Sequence, residues 1–386
     1  MKRKTVFLDQ GEFMGGAEHF LLDFLANLSP TENRRLNPTV YGGVCNLYKE
    51  KLPAGVPRIN FVLPAVKGGK ILKVFALFKL VFTAKKLKKS LKADGVTQIF
   101  TNTPRAHLVA LLLKKVWGWN GRWVVMMHDF TLKPDALLKH IGRQADIIIA
   151  NSMPTRTWLR QHVETAYHDK LRLIENGVQT SEATQGVTEI RNLVNLGRID
   201  QRKGQLLFAQ AAEALQTTHP DLTFTIIGDS VEGDMETQAY ETELKAFTKE
   251  RQLANMSFKP SVKNPLETID GFDALIFTPT EPETFGRVVI EALSKGKLVL
   301  AFAQTGPKEI LEHYERWLIK HKNLQPIAPH LQLVEINNAA HLAEQMAYFT
   351  DNPALIKTYT QHAAEFVTAN YNLVETKKRL AEILLV

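Results

Sequence analysis

Short apolar runs rich in Val, Ile and Phe alternate along this chain with longer stretches of helical period. That alternation constrains the fold most, because parallel βαβ units require it and hairpin-built sandwiches or plain helical bundles do not produce it. In the first half strands are expected at Thr5–Leu8, Thr39–Gly42, Gln98–Thr101, Trp123–Met127, Ile147–Ala150 and Leu171–Ile174, with helical patterns such as Ala17–Leu28 and Ala106–Val116 between them. After Asn176-Gly177 the polar stretch Gln179–Glu189 has no periodicity and reads as a linker. A second series follows, with strands at Asn192–Leu196, Thr223–Ile227, Met256–Phe258, Ala274–Thr278 and Leu298–Ala301. Its helices are expected at about Gln205–Thr217, Met235–Arg251, Val288–Lys295 and Lys308–His313. The segment Lys320–Leu333 fits neither pattern.

A chain of 386 residues exceeds what one hydrophobic core organises. The predicted class is therefore α/β, with two Rossmann-like doubly wound domains facing a central cleft. The expected division is 1–180, a linker at 181–189, 190–365, and a C-terminal helical segment, 366–386, that crosses back to the first domain. Open parallel sheets bind ligands beyond the carboxyl ends of their strands, so the chemistry is sought in the loops that follow strands.

The most informative loop is in Glu281–Ala301, EPETFGRVVIEALSKGKLVLA. A strand ends near Thr278, the loop carries Glu283, Thr284, Phe285 and Gly286, and a helix begins near Arg287. The unpaired N–H groups of that helix suit a phosphate or sugar oxygen, and Gly286 lets backbone approach a ligand closely. Along a continuous helix the spacing of Glu283 and Glu291 covers roughly 12 Å with about an 80° offset, enough for one carboxylate to meet a sugar and the other a ribose. A second cluster, Asn195–Gln205 (NLGRIDQRKGQ), places Arg198 and Lys203 around a turn freed by Gly197 and Gly204. Fixed cations there would stabilise the charge that develops on a departing diphosphate. The plain alternatives are a chance E-x7-E, solvated loop carboxylates and an exposed basic turn. The strand–loop–glycine–helix context argues for the site.

Taken together, G-R-x4-K-G at Gly197–Gly204 and E-x7-E opening on E-T-F-G at Glu283 resemble the retaining GT-B glycosyltransferases of family 4. Gly15–Glu18 (G-G-A-E), His128-Asp129, Ala145–Ser152 and Asn176–Val178 look similar as well. The resemblance implies that Arg198 and Lys203 hold the diphosphate, that Glu283 meets the donor sugar and Glu291 the ribose, and that Gly197, Thr284, Phe285, Gly286 and Arg287 complete the donor site. It places His128 near the anomeric centre, with Gly15 and Gly16 lining the cleft. Asn102 and Arg105, which follow another strand, are candidates for acceptor contacts or for structural duty. The resemblance further implies a nucleotide-sugar donor, a glycan or glycolipid acceptor, retention of configuration, and no metal or other cofactor; no D-x-D pair is present. Gly228-Asp229-Ser230, Pro260 and Thr305–Glu309 depart from the family pattern.

Other classes lack their signatures. G-x-G-x-x-G, G-x4-G-K-[ST], G-x-S-x-G and H-E-x-x-H are all missing. The single Cys45 forbids an intrachain disulfide, which suits the cytoplasm. The apolar start is too short for a secretory signal, and Ile71–Ala84 falls short of the roughly 20 residues of a membrane span. A formal net charge of +8 calls for an anionic partner. Nucleic acid is not expected, because the lysines concentrate in one segment without an aromatic-interleaved motif. That segment, Lys67–Lys92, fits either a basic helix resting on an anionic membrane at the inner face of the plasma membrane or a packed helix with solvated lysines. The rival functions are a nucleotide-sugar 2-epimerase of the same fold and a non-catalytic membrane or nucleic-acid binder.

Overall fold

The structure is a computed structural model that describes residues 3–10, 14–42, 45–64, 70–130, 135–180, 186–324 and 331–386. It divides into two compact units, Met1–Gly177 with Val374–Val386, and Val178–Leu373.

The first unit contains strands β1 (Thr5–Asp9), β2 (Thr39–Gly42), β3 (Arg58–Ile59), β4 (Gln98–Thr101), β5 (Arg122–Met127), β6 (Ile147–Ala150) and β7 (Leu171–Leu173). They form one parallel sheet in the order β3-β2-β1-β4-β5-β6-β7. Alternate residues of each strand feed separate cores on its two faces. Val6, Leu8, Ile99, Val125 and Met127 lie on one side, and Phe7, Phe100, Val124 and Met126 on the other. Burial on both faces explains why these strands read as unbroken apolar runs. The helix Leu373–Leu385 covers the second face through Leu380, Ala381 and Leu384. It is pinned where the Arg122 guanidinium donates to the Ile383 carbonyl (2.8 Å) and the Gln98 amide to that of Leu384 (3.2 Å).

The second unit holds β8 (Asn192–Leu196), β9 (Thr223–Ile227), β10 (Met256–Lys259), β11 (Ala274–Phe277), β12 (Leu298–Phe302) and β13 (Leu333–Val334), parallel in the order β10-β9-β8-β11-β12-β13. Each sheet starts at its middle, builds outward to one edge, and then returns to build the other half. The strand order therefore reverses between β1 and β4 in one unit and between β8 and β11 in the other. At such a switch point the two flanking crossovers leave on opposite faces and open a crevice at the strands' carboxyl ends.

Every strand expected from the sequence lies within one residue of its observed limits. The two-residue edge strands β3 and β13 were not expected. The helix expected at Lys308–His313 runs from Thr305 to Lys322 and ends on Asn323 in the left-handed region (φ 51°). Lys320–Leu333 thus divides between the end of this helix, residues 325–330 outside the described set, and the start of β13. The C-terminal segment expected as helical at 366–386 holds the end of the helix Ala363–Asn370 and the separate helix Leu373–Leu385, after a further helix Pro353–Thr360. One break falls where Val178 pairs with Asn372, because the Val178 carbonyl takes the Leu373 N–H that a continuous helix would use. Residues 366–373 accordingly belong to the second unit. Of the expected linker, 181–185 lie outside the described residues, and Val187 is bonded through backbone N–H and carbonyl to the Thr360 hydroxyl.

Candidate functional site

At the β8–β11 switch point the floor of the second unit is built from main chain. Asn195, buried in β8, donates to the Ile276 carbonyl (2.9 Å) and the Thr278 hydroxyl (3.0 Å). That hydroxyl lies 3.0 Å from the Lys203 carbonyl and 3.1 Å from that of Gly204, and the Thr280 N–H donates to the Arg202 carbonyl (2.9 Å). The basic turn and the loop after β11 are thereby one hydrogen-bonded unit. Gly204 sits in the left-handed region (φ 65°), where a Cβ would lie 2.1 Å from the Thr278 carbonyl oxygen. A Cβ on Gly228 would meet the Gly197 oxygen at 2.0 Å, and one on Gly306 the Phe285 Cα at 2.5 Å. Gly306 also donates its N–H to the Glu283 carbonyl (2.8 Å), so the departure from the family pattern at 305–309 still locks the Glu283 loop.

On this floor stand the charges. The Lys203 ammonium pairs with the Glu283 carboxylate at 2.5 Å, both side chains about one-quarter exposed, and lies 5.6 Å from the centre of the Phe277 ring. The structure thus joins two residues far apart in sequence. Arg198 pairs with Asp200 at 3.1 Å, and Arg202 grips the same carboxylate at 2.6 Å. Burial would raise the Asp200 pKa, but hydrogen bonds from Arg202 and the charges of Arg202 and Arg198 outweigh it and hold the carboxyl at about 2. Asp200 and Arg202 were not among the expected site residues.

Gly286 takes the left-handed conformation (φ 83°) and caps the helix Arg287–Ser294. The helix therefore begins after Glu283, and the continuous-helix estimate of the Glu283–Glu291 separation does not hold; only Arg287 to Glu291 follows helical geometry. Those two pair one turn apart at 2.8 Å, with Glu291 largely buried. The Thr284 and Phe285 side chains are buried, Phe285 edge-on against Tyr371 at 5.8 Å. They shape the loop from inside, while Glu283 presents its carboxylate.

The first unit carries a second cluster at its own switch point. Asn102, after β4, donates to the buried Asp9 carboxylate at the end of β1 (3.0 Å) and to the Ala17 carbonyl (2.9 Å). With both amide protons so used, its Oδ1 faces His128 Nε2 at 2.8 Å and can only accept. Nε2 therefore carries the ring proton. Burial pulls the His128 pKa down to about 3, so the ring is neutral and Nδ1 is its acceptor nitrogen. His128 can orient a hydroxyl but brings no positive charge near neutral pH. Phe20 packs edge-on against it at 5.3 Å.

Gly15 precedes the helix Gly16–Ala26, and its N–H is taken by Glu18 Oε2 (3.0 Å). Gly16 is exposed, and a Cβ there would meet nothing within 4 Å. Arg105 is half-buried in the first turn of the helix Pro104–Lys115. Asp9 and Tyr48, whose hydroxyl lies 3.5 Å from Asp9, were not singled out in the sequence, and Glu18 entered only as the end of the G-G-A-E turn. A carboxylate closing an otherwise apolar strand was the available signal for Asp9.

Two doubly wound parallel domains, each with its polar constellation at the strand-order reversal, define the GT-B class of glycosyltransferase folds. A family model described as glycosyl transferases group 1 matches residues 182–361, and one described as glycosyltransferase family 4 matches 14–182. The chain belongs to the group 1, family 4 glycosyltransferases. Among solved structures it is similar to Anabaena Alr3699/HepE in complex with UDP and glucose, at 21% identity over 99% of both chains and a TM-score of 0.75. A glycosyltransferase from Rickettsia africae is 19% identical over 99% of this chain and 98% of that one, with a TM-score of 0.75. The lipopolysaccharide outer core galactosyltransferase WaaB in its apo form is 13% identical over 99% and 100%, with a TM-score of 0.65. No curated protein sequence matches significantly. Among the described residues no helix is long and apolar enough to cross a membrane.

Proposed function

We propose that this glycosyltransferase moves a hexosyl group from a UDP- or GDP-linked donor to a glycan or glycolipid acceptor, such as a lipopolysaccharide core or envelope polysaccharide, with retention of configuration. The reading places it in the cytoplasm, with donor on the second unit and acceptor on the first. The observation that carries it is the Lys203–Glu283 pair at the β8–β11 switch point, flanked by Arg198 and followed by a helix N-terminus. A cation for the diphosphate and a carboxylate for the sugar hydroxyls meet there at one point. When the donor enters, Lys203 shifts its hydrogen bonds from Glu283 toward the phosphate oxygens, and Glu283 turns to the sugar. As the glycosidic bond breaks, charge grows on the diphosphate, and Arg198 and Lys203 hold it more tightly than in the ground state. These two cations supply the neutralisation, so departure needs no metal. Glu291, braced by Arg287, takes the ribose diol. The HepE complexes with UDP and glucose, and with UDP-glucose, support the donor class, and WaaB's lipopolysaccharide core supports the acceptor class.

The test is nucleotide release from a panel of UDP-, GDP-, ADP-, TDP- and CMP-sugars, with and without a membrane glycolipid extract, on wild type and Arg198→Ala. Release from one donor, raised by extract, unaffected by chelator and lost in the variant, supports the proposal. The anomeric form of the product, read by NMR, tests retention. No release and no binding across the panel would overturn the nucleotide-sugar reading, and release independent of acceptor would favour an epimerase.

A further inference from the structure

The helix Lys70–Ala93 divides sharply along its axis. Ala76, Leu80, Ala84, Leu87 and Leu91 are buried and form the stripe that packs on the first unit. At about 100° per residue, Phe75, Phe78 and Phe82 fall within an arc of about 60° diametrically opposite that stripe. They are 62%, 61% and 66% exposed, and no other phenylalanine among the described residues is exposed. A single exposed apolar side chain is ordinary, but three aligned aromatics across two turns form a patch with no packing role in this unit. On the same outward side, the next two turns carry the exposed Lys85, Lys86, Lys89 and Lys92. From Lys67 to Lys92 there are nine lysines and no acid.

We infer that this face seats on an anionic lipid bilayer, with Phe75, Phe78 and Phe82 entering the interfacial layer and the lysines standing over acidic headgroups. Charge decides the occupant. A second copy of the chain, docked through the same patch, would set one lysine row against another. An anionic bilayer offers an apolar layer for the phenylalanines and, immediately above it, a negative one for the lysine heads. The inference does not depend on the donor chemistry.

The test is cosedimentation with vesicles of phosphatidylcholine alone and of phosphatidylcholine mixed with phosphatidylglycerol, without donor or acceptor. Wild type is expected to pellet with the anionic vesicles only, and less as salt rises. Phe75→Ser/Phe78→Ser/Phe82→Ser should lower partitioning at least about ten-fold. Lys85→Gln/Lys86→Gln/Lys89→Gln, which leaves the apolar face intact, should lower it by up to about a hundred-fold. Circular dichroism and thermal melting check that both variants fold; the substituted positions are exposed, so wild-type melting is expected. Three results would overturn the inference: wild type left in the supernatant with anionic vesicles, either variant binding as wild type does, or a wild-type dimer in sedimentation velocity that the phenylalanine variant dissolves.

Discussion

Replacing Gly204 by Ala should damage the second unit's site while leaving every charged side chain in the sequence. Gly204 has φ 65°, a conformation that costs a residue with a Cβ about 1–2 kcal/mol. The new carbon would also lie 2.1 Å from the Thr278 carbonyl oxygen, where ordinary C···O contacts are about 3.3 Å. The basic turn and the β11 loop must therefore part by roughly 1 Å, and overpacking of that kind adds about 1–3 kcal/mol. The total is about 2–5 kcal/mol, at roughly 2–4 °C of melting temperature per kcal/mol for a domain of this size. Separating the loops by that distance displaces Lys203 from Glu283, so nucleotide release should fall about a hundred-fold. Gly233→Ala is the control. Its φ is 76° with nothing within 4 Å of the new carbon, so it carries only the backbone cost and should leave release unchanged. Differential scanning fluorimetry and coupled nucleotide-release kinetics on both variants decide the matter. If Gly204→Ala melts with Gly233→Ala and releases nucleotide as wild type does, the contact with Thr278 does not position Lys203 and the reasoning is wrong.

Glu283→Gln keeps the loop's shape but removes its charge, and should cut release from the true donor by about 10²–10³-fold. Binding of the bare nucleoside diphosphate, measured by calorimetry, should survive; an equal loss of both would show that Glu283 is only structural. Asp200→Asn unlinks Arg198 from its buried anchor, and because Arg198 grips the departing diphosphate more tightly than the bound donor, kcat should fall roughly ten-fold or more with little change in donor KM. A raised KM at unchanged kcat would refute that positioning role. His107 is fully buried beside the Thr101 hydroxyl, and burial, reinforced by His128, pulls its pKa from 6.5 to about 3. The unfolded chain therefore binds a proton that the folded one refuses, and stability should fall as pH drops from 6.5 toward 3, by up to about 1.4 kcal/mol per unit. Denaturant melts at several pH values should show a shallower slope for His107→Gln, and an unchanged slope would contradict the assignment.

The sheet cores were legible because buried parallel strands are continuous apolar runs, as in Ile147–Ala150 and Leu298–Phe302. The edges were not: Arg58–Ile59 and Leu333–Val334 are too short to show any period. The charged members of the proposed donor site could be picked out from spacing, since Arg198, Lys203, Glu283 and Glu291 stand at fixed offsets around glycines. Their supports could not. Asn195 and Thr278 look like ordinary strand residues until the fold brings β8 beside β11, and Asp200 reads as one more turn residue. Nor could the sequence show that Phe285 points inward while Phe75, Phe78 and Phe82 point out, because burial depends on which helix face meets the sheet.

The glycine-lined floor of the second unit also limits how its selectivity can be redesigned. Where Gly204, Gly228 and Gly306 meet neighbouring backbone, no side chain can be introduced without moving a loop, so libraries aimed at those positions would return mostly misassembled protein. The variable surface left to an engineer is the rim. Asp229, Glu281 and Pro282 are exposed and lie in the loops that follow β9 and β11. Changes of donor preference should therefore be sought by substitution at this rim, with the glycines held fixed.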